Sequence, residues 1–294
     1  MEQEKRKKHW LDRHDGYYLK DIDSFHKYFA HLNPHRTDCE VCMLSSLDVT
    51  KALEYLNEKN KTSEVKITFF HLMLTAMAKM VYNREKMNRF VAGRRFYQRK
   101  KVILSFVAKK KFTDTAEEAM MMLNPKPGDN LDSIAKKVSG EVKQARSESA
   151  GEYGADAALN FLAKLPKFLM VIVMAILKLM DRHGWMPESL TSVDPNYSTI
   201  LLSNLGSIKC DAVYHHLSDF GTNSILLTIG TLHKEKRLNA EGKEEIRDVV
   251  NFGFTLDERI ADGFYFAKCM KFVQKILDEP SLLDDDVTTA VDYQ

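Results

Sequence analysis

The stretch VNFGFTLDERIADGFYFAKCMKFVQKILDEPSLL, residues 250–283, constrains the fold of this chain more than any other. An alternating apolar run with the period of a half-buried strand ends in a knot of charge, Asp257, Glu258, Arg259 and Asp262, and passes at once into a helix. That helix carries Phe266, Cys269, Met270, Val273 and Ile276 on one stripe and Lys268, Lys271 and Lys275 on the other, and Pro280 ends it. A buried strand that feeds an amphipathic helix with almost no loop must stack that helix on its own sheet.

The rest of the chain repeats this alternation. Phe70, Leu74, Met77 and Val81 have helical spacing, and a polar amphipathic helix is predicted over Leu131 to Arg146 after the breaker NPKPGDN. Strands are predicted over Arg94 to Gln98 and Val102 to Ala108, joined by a basic patch suited to a hairpin, and over Ser198 to Ser203, Ser224 to Thr231 and Val249 to Leu256. The charged HKEKRLNAEGKEEIRD between the last two reads as an exposed hairpin tip. Strands alternating with helices give an α/β sandwich, one sheet backed by helices.

Composition narrows the function classes. The charge of 43 − 41 = +2, with 44% hydrophobic residues, leaves no basic footprint for nucleic acid. The only locally basic segment is the opening MEQEKRKKHW, which reads as a solvated tail over residues 1–20 and not as a signal peptide, so a cytoplasmic address is expected. Four scattered cysteines make no secreted disulfide framework. Cys39 and Cys42 form a CxxC, but in an extended segment residues three apart point to opposite faces, which argues against paired metal ligands or a redox dithiol, and no metal is expected.

FLMVIVMAILKLM, residues 168–180, is too short for the ~20 apolar residues of a spanning helix. Lys164, Lys167, Lys178 and Arg182 gather on one of its sides. The plainer reading is a helix docked on the protein; contact of residues 161–182 with a membrane or partner is the less favoured one.

Two segments, STILLSNLGSIKCDAVYHHLSDFGTNSILLTIGTL and FTLDERIADGFYFAKCMKFVQKILDEPSLL, resemble the C-terminal half of the chloramphenicol acetyltransferase-like superfamily, whose other large branch is the acyltransferase core of the 2-oxo acid dehydrogenase complexes. That branch carries a TISNLG-type strand, then DHRxxDG, then a helix ending in EDPxxLL. DIDSFHKYF near the start is similar to the opening of the antibiotic acetyltransferases. The resemblance implies a two-layer α/β sandwich with a mixed sheet backed by helices, as a single domain over residues 21–283. A helical insertion would fall at about residues 155–187, and an acidic tail over 284–294.

In the resembled family a histidine of DHRxxDG deprotonates a thiol or hydroxyl acceptor, which attacks an acyl thioester. A serine of the SNLG strand donates to the oxyanion, and the motif aspartate fixes the loop by an ion pair. Position by position, the serine is Ser203 and the aspartate Asp262, followed by Gly263. The base position is Glu258, so the histidine is replaced. Glutamate, at about 4.3, is a weaker base toward a thiol at about 8.5 than histidine at about 6.5, unless burial raises it. Alternative bases are His215 and His216; if their segment is extended, one faces inward and the other out. Lys27 stands where a basic residue of the antibiotic enzymes holds the motif aspartate, although a surface lysine is the simpler reading.

The resemblance further implies coenzyme A or acyl-CoA as substrate, a small-molecule acyl acceptor, no lipoyl attachment in this chain, and a homotrimer with sites at the subunit interfaces. A catalytically silent homologue serving as a trimeric binding or scaffolding subunit is the alternative.

Overall fold

The computed structural model describes residues 6–109, 118–145, 164–239 and 241–293. A six-stranded sheet forms the frame: β2 (Glu40–Asp48), β9 (Glu244–Asp257), β8 (Ile225–Leu238), β7 (Ile200–Asn204), β5 (Leu104–Lys109) and β6 (Glu118–Leu123), in that order across it. The sheet is mixed, because β5, β7 and β8 run parallel while β2–β9, β8–β9 and β5–β6 pair antiparallel.

One face of this sheet carries the large apolar residues. Ile200, Leu202, Leu227, Phe252, Phe254 and Leu256 are buried there. They pack in one cluster with α2 (Thr50–Lys59), α3 (Phe69–Asn83), α4 (Leu131–Ala145) and α7 (Gly263–Asp278). A fully buried side chain of this kind contributes roughly 1.5–3 kcal/mol, so this layer supplies most of the driving force. The residues between them in sequence necessarily point the other way. Apart from Leu201 and Leu226 they are small or polar: Ser105, Ser203, Thr228, Asn251, Gly253 and Thr255.

The predicted hairpin of Arg94 to Ala108 is not formed. β4 (Arg95–Arg99) instead pairs with β3 (Arg89–Ala92) and β1 (Gly16–Tyr18) in a separate three-stranded sheet, whereas β5 joins the large one. The reason is the turn Gly93–Arg94, with φ of 57° and 63°, which folds β3 back on β4 as a two-residue hairpin whose positive φ angles match the strand twist. Arg99 is then committed inward, donating from Nη1 to Tyr197 O at 2.7 Å and from Nη2 to Thr222 O at 2.8 Å.

Both ends read as tails are packed. Residues 1–20 include β1 and the buried Arg13, whose Nε donates to Asp15 at 2.8 Å and whose Nη1 donates to Asp181 O at 2.7 Å. Within 284–293, Val287 and Val291 are buried in the main core and the Val287 N–H donates to Asp129 O at 2.8 Å. Charge counts marked these segments as polar and concealed the few apolar residues that anchor them.

Of the expected insertion, residues 155–163 lie outside the described residues. The remainder holds α5 (Lys167–His183), capped by Gly184 with φ of 73°, and the short α6 (Glu188–Thr191). Leu169, Met170, Val173, Met174, Leu177 and Met180 form one half-buried stripe of α5 with the buried Asp181, as a docked helix requires, while the opposite arc remains at the surface.

Candidate active site

β9 delivers the charge knot. Its last residue, Asp257, is fully buried, and Arg259 closes on it with two parallel hydrogen bonds of 2.8 Å, Nε to Oδ1 and Nη2 to Oδ2. The Arg259 N–H also donates to Oδ1 at 3.2 Å, so the chain wraps around the carboxylate. The remaining guanidinium nitrogen, Nη1, donates to the carbonyls of Asn33 and Pro34, each at 3.2 Å.

A second arginine enters from the other side. Arg36 Nε lies 3.5 Å from Asp257 Oδ2. Its Nη1 donates to Ser218 O, its Nη2 to the carbonyls of Val91 and Gly221 at 3.2 Å, and its backbone N–H to Asp219 at 2.6 Å. Burial pushes the Arg36 pKa down, and the neighbouring Arg259 charge adds to this against the pull of Asp257. Burial also works against the Arg259 charge, but the hydrogen bonds and charge of Asp257 outweigh it and raise that pKa. One carboxylate thus anchors two buried guanidinium groups.

Glu258 points elsewhere. It is half-buried, its N–H donates to Cys39 O at 3.0 Å, and no hydrogen bond reaches its carboxylate among the described residues. Beneath it Cys39 is buried, its thiol pushed up to about 11 by desolvation, which leaves no thiolate to act as a nucleophile near neutrality. Cys42 is exposed, so the two cysteines of the CxxC face opposite ways. Among the described residues no cluster of metal ligands occurs.

Asp262 is the N-cap of α7, accepting the Tyr265 N–H at 2.8 Å, and it is exposed. The ion pair to Lys27 expected from the resemblance is absent among the described residues, and Lys27 is a surface residue. The buried ion pair of this loop is instead made by Asp257. Gly263 is likewise not needed for a close turn, since a Cβ there would meet nothing within 4 Å.

Ser203 sits near the end of β7 on the small-residue face, half-buried, with no hydrogen bond to its hydroxyl among the described residues. It is paired with Thr228, which is paired with Gly253. Just after it the chain turns so tightly that a Cβ on Gly206 would collide with the carbonyl of Gly230, which explains the glycine of SNLG. The chain then crosses the same face: the Thr228 hydroxyl donates to Val213 O at 2.6 Å, and the Leu217 N–H donates to the Glu40 carboxylate. Glu40 is the cross-strand neighbour of Asp257, so this crossing ends at the motif loop.

His215 and His216 lie on that crossing. Both are exposed, stacked on each other with ring centroids 4.6 Å apart, so the alternation of one inward and one outward histidine is not realised. The segment is irregular and not a strand, which removes the two-residue period on which that expectation rested.

Ser203 lies on this face, and Glu258 stands in the turn just beyond the end of β9. From Gly253, two strands from Ser203, the chain continues five residues to Glu258. At about 3.3 Å per residue and about 4.8 Å per strand, their Cα atoms are roughly 15–20 Å apart. An oxyanion donor and a general base must both stand within hydrogen-bond reach of one reacting centre. Within one protomer these two do not.

The residues that sequence reasoning missed are Arg36 and the locking role of Asp257 and Arg259. The DER order around Glu258 was visible; nothing in the local sequence of Arg36 announces its partner.

Comparison with known proteins agrees with this fold. The 2-oxoacid dehydrogenases acyltransferase catalytic domain matches residues 171–284. The dihydrolipoamide acetyltransferase of Azotobacter vinelandii, in which a serine, a histidine and an asparagine have been investigated for their role in the catalytic mechanism, is similar in structure with a TM-score of 0.60. The identity is 14%, covering 91% of this chain and 94% of that one. The cubic core of the pyruvate dehydrogenase multienzyme complex gives 0.60 at 16% identity over 91% and 94% of the two chains. Chloramphenicol acetyltransferase gives 0.55 at 14% over 89% and 99%. No curated protein sequence matches the chain. The chain has the fold of the chloramphenicol acetyltransferase-like superfamily, an α/β two-layer sandwich, and its residues 171–284 carry the match to the acyltransferase catalytic domain.

Proposed function

We propose that this chain transfers an acyl group from a coenzyme A thioester to a small hydroxyl or thiol acceptor, slowly, in a site completed between copies of the chain in a homotrimer. The observation that carries this reading is the separation of Ser203 from Glu258. Ser203 stands on the small-residue face and Glu258 in the turn beyond β9, each without a side-chain hydrogen bond among the described residues, and too far from the other to act with it in one protomer. A closed ring of protomers can bring the Ser203 region of one copy against the Glu258 turn of the next. The similarity to the cubic core of a multienzyme complex supports assembly of this kind.

In that site Glu258 accepts the proton of the acceptor as its oxygen or sulfur attacks the thioester carbonyl. Ser203 of the adjoining copy donates to the oxyanion that forms. Collapse of the tetrahedral species expels the coenzyme A thiolate, which takes the proton back from Glu258. Asp257, Arg36 and Arg259 do not touch the reactants; they fix the loop from which Glu258 projects. Turnover is slow because a carboxylate is a poor match to a thiol or hydroxyl proton.

A catalytically silent, scaffolding role is favoured by one observation: among the described residues no hydrogen bond orients the Glu258 carboxylate. Acetyl-CoA turnover with simple thiol acceptors, measured for the wild type and Glu258→His, separates the two. The proposal expects low wild-type activity that Glu258→Gln removes. Binding of coenzyme A with no wild-type turnover, and turnover created by Glu258→His, would select the silent reading.

A further inference from the structure

Helix α5 displays an apolar surface that nothing within the described residues covers. Phe168 is 70% exposed, Val171 61%, and Ile172, Ile176 and Leu179 each 51%. Trp185, just beyond the helix and stacked on His183 with centroids 4.6 Å apart, is 63% exposed. A contiguous patch of this kind marks an interaction surface.

The charges on this helix are sorted. At about 100° per residue, Lys167, Lys178 and Arg182 line one edge of the exposed arc, and Phe168, Leu179, Ile172 and Ile176 follow in turn around it. The helix has one acid, Asp181, which is turned inward and buried. There its carboxylate accepts from the Tyr197 hydroxyl at 2.8 Å and from the Gly221 N–H at 3.0 Å, with Arg13 3.7 Å away. The outward half of the helix therefore carries apolar side chains, cations and His183, and no acid.

We infer that α5 lies in the surface of an anionic lipid bilayer, its apolar arc in the acyl boundary and its basic edge among the headgroups. Two alternatives fit the charge pattern less well. Face-to-face pairing with the same helix of a second copy would bring two sets of Lys167, Lys178 and Arg182 together with no acid on the face to separate them. Spanning is excluded by length, since no described helix is long and apolar enough to cross a membrane. A cationic edge beside exposed Phe, Ile, Leu and Trp is the composition of an interfacial helix. The basic residues would add attraction of the kind polybasic segments show for anionic leaflets.

The test is co-sedimentation of the full chain with vesicles of phosphatidylcholine alone or mixed with phosphatidylglycerol. Saturable binding to the mixed vesicles, weakened by salt, is expected. Replacing Lys167, Lys178 and Arg182 together by glutamine should reduce that affinity on the order of 10²-fold. Phe168→Ser with Leu179→Ser should abolish it. All these side chains are exposed, so the melting temperature should stay that of the wild type. No binding to the mixed vesicles, or binding that both variants retain, would overturn the inference. So would loss of oligomeric state in the serine variant by light scattering, which would assign the face to a second copy.

Discussion

Asp257 and Arg259 alternate with Glu258 and stand five and three positions before Asp262, yet the two pairs live in different environments. Asp257 and Arg259 are almost wholly buried and bound to each other, to Arg36 and to backbone carbonyls. Glu258 is half-buried and Asp262 exposed, and among the described residues no side-chain bond but the helix cap holds them. The difference teaches that the loop's frame and its chemistry are separable. The frame is built from groups that cannot change without leaving a buried charge unpaired. The position proposed to meet the reactants carries no such constraint, and there, by the motif resemblance, a carboxylate stands in place of an imidazole.

The largest effect should come from breaking the frame. Asp257→Asn keeps the shape but leaves Arg36 and Arg259 without their common counter-charge, and removing one partner of a buried ion network costs about 3–5 kcal/mol. Urea denaturation measures this; a loss below about 1 kcal/mol would mean that the backbone carbonyls alone hold the loop. Glu258→Gln should do the reverse. Turnover should fall by roughly 10²–10⁴-fold, the usual worth of a general base, while the denaturation midpoint stays put. Undiminished turnover would move the base to His215 or His216.

Asp262→Ala removes only a helix cap and should cost about 1 kcal/mol. Lys27→Ala should be neutral within about 0.5 kcal/mol, as for an unpartnered surface residue. A loss from Lys27→Ala that disappears once Asp262 is already alanine would instead show an ion pair between them.

The smallest effect lies far from the loop, at the start of α3. Burial holds the His71 pKa below its ordinary 6.5, and its Nδ1 accepts the Thr68 N–H at 3.2 Å in a reciprocal cap. The unfolded chain therefore takes up the proton first, so stability is present above pH 6.5 and is lost as pH falls from there toward the lowered folded value. His71→Gln keeps an acceptor without the titration, and its melting temperature should vary less over that range. Identical pH slopes for the two proteins would remove His71 from the account.

Much of the fold was legible because periodicity reports burial directly. The alternation through Phe252, Phe254 and Leu256 located β9, and the stripe through Phe266 and Ile276 located α7 and its direction. What stayed hidden was pairing across distance. Arg95 to Arg99 and Leu104 to Lys109 look alike as strands, and only the positive φ angles at Gly93 and Arg94 decide that they join different sheets. In the site, Ser203 and Glu258 were found by motif order, but motif order carries no distance, and their separation emerged only from the strand register. The loop-fixing ion pair was given to Asp262 and not to Asp257 for a related reason. Asp257 and Asp262 are equivalent as letters, and only burial tells an anchor from a cap.

The central claim is that Ser203 and Glu258 act together across an interface, and mixing two dead variants tests it most directly. Ser203→Ala should lose about 10²-fold in turnover, the cost of one oxyanion donor, and Glu258→Gln at least as much. Unfolded together and refolded as mixed oligomers, they should form intact sites wherever a copy with Ser203 adjoins a copy with Glu258. In a random closed ring that restores about one quarter of wild-type activity. Mixed oligomers that remain as inactive as their parents would contradict the claim and place both residues' chemistry within one protomer.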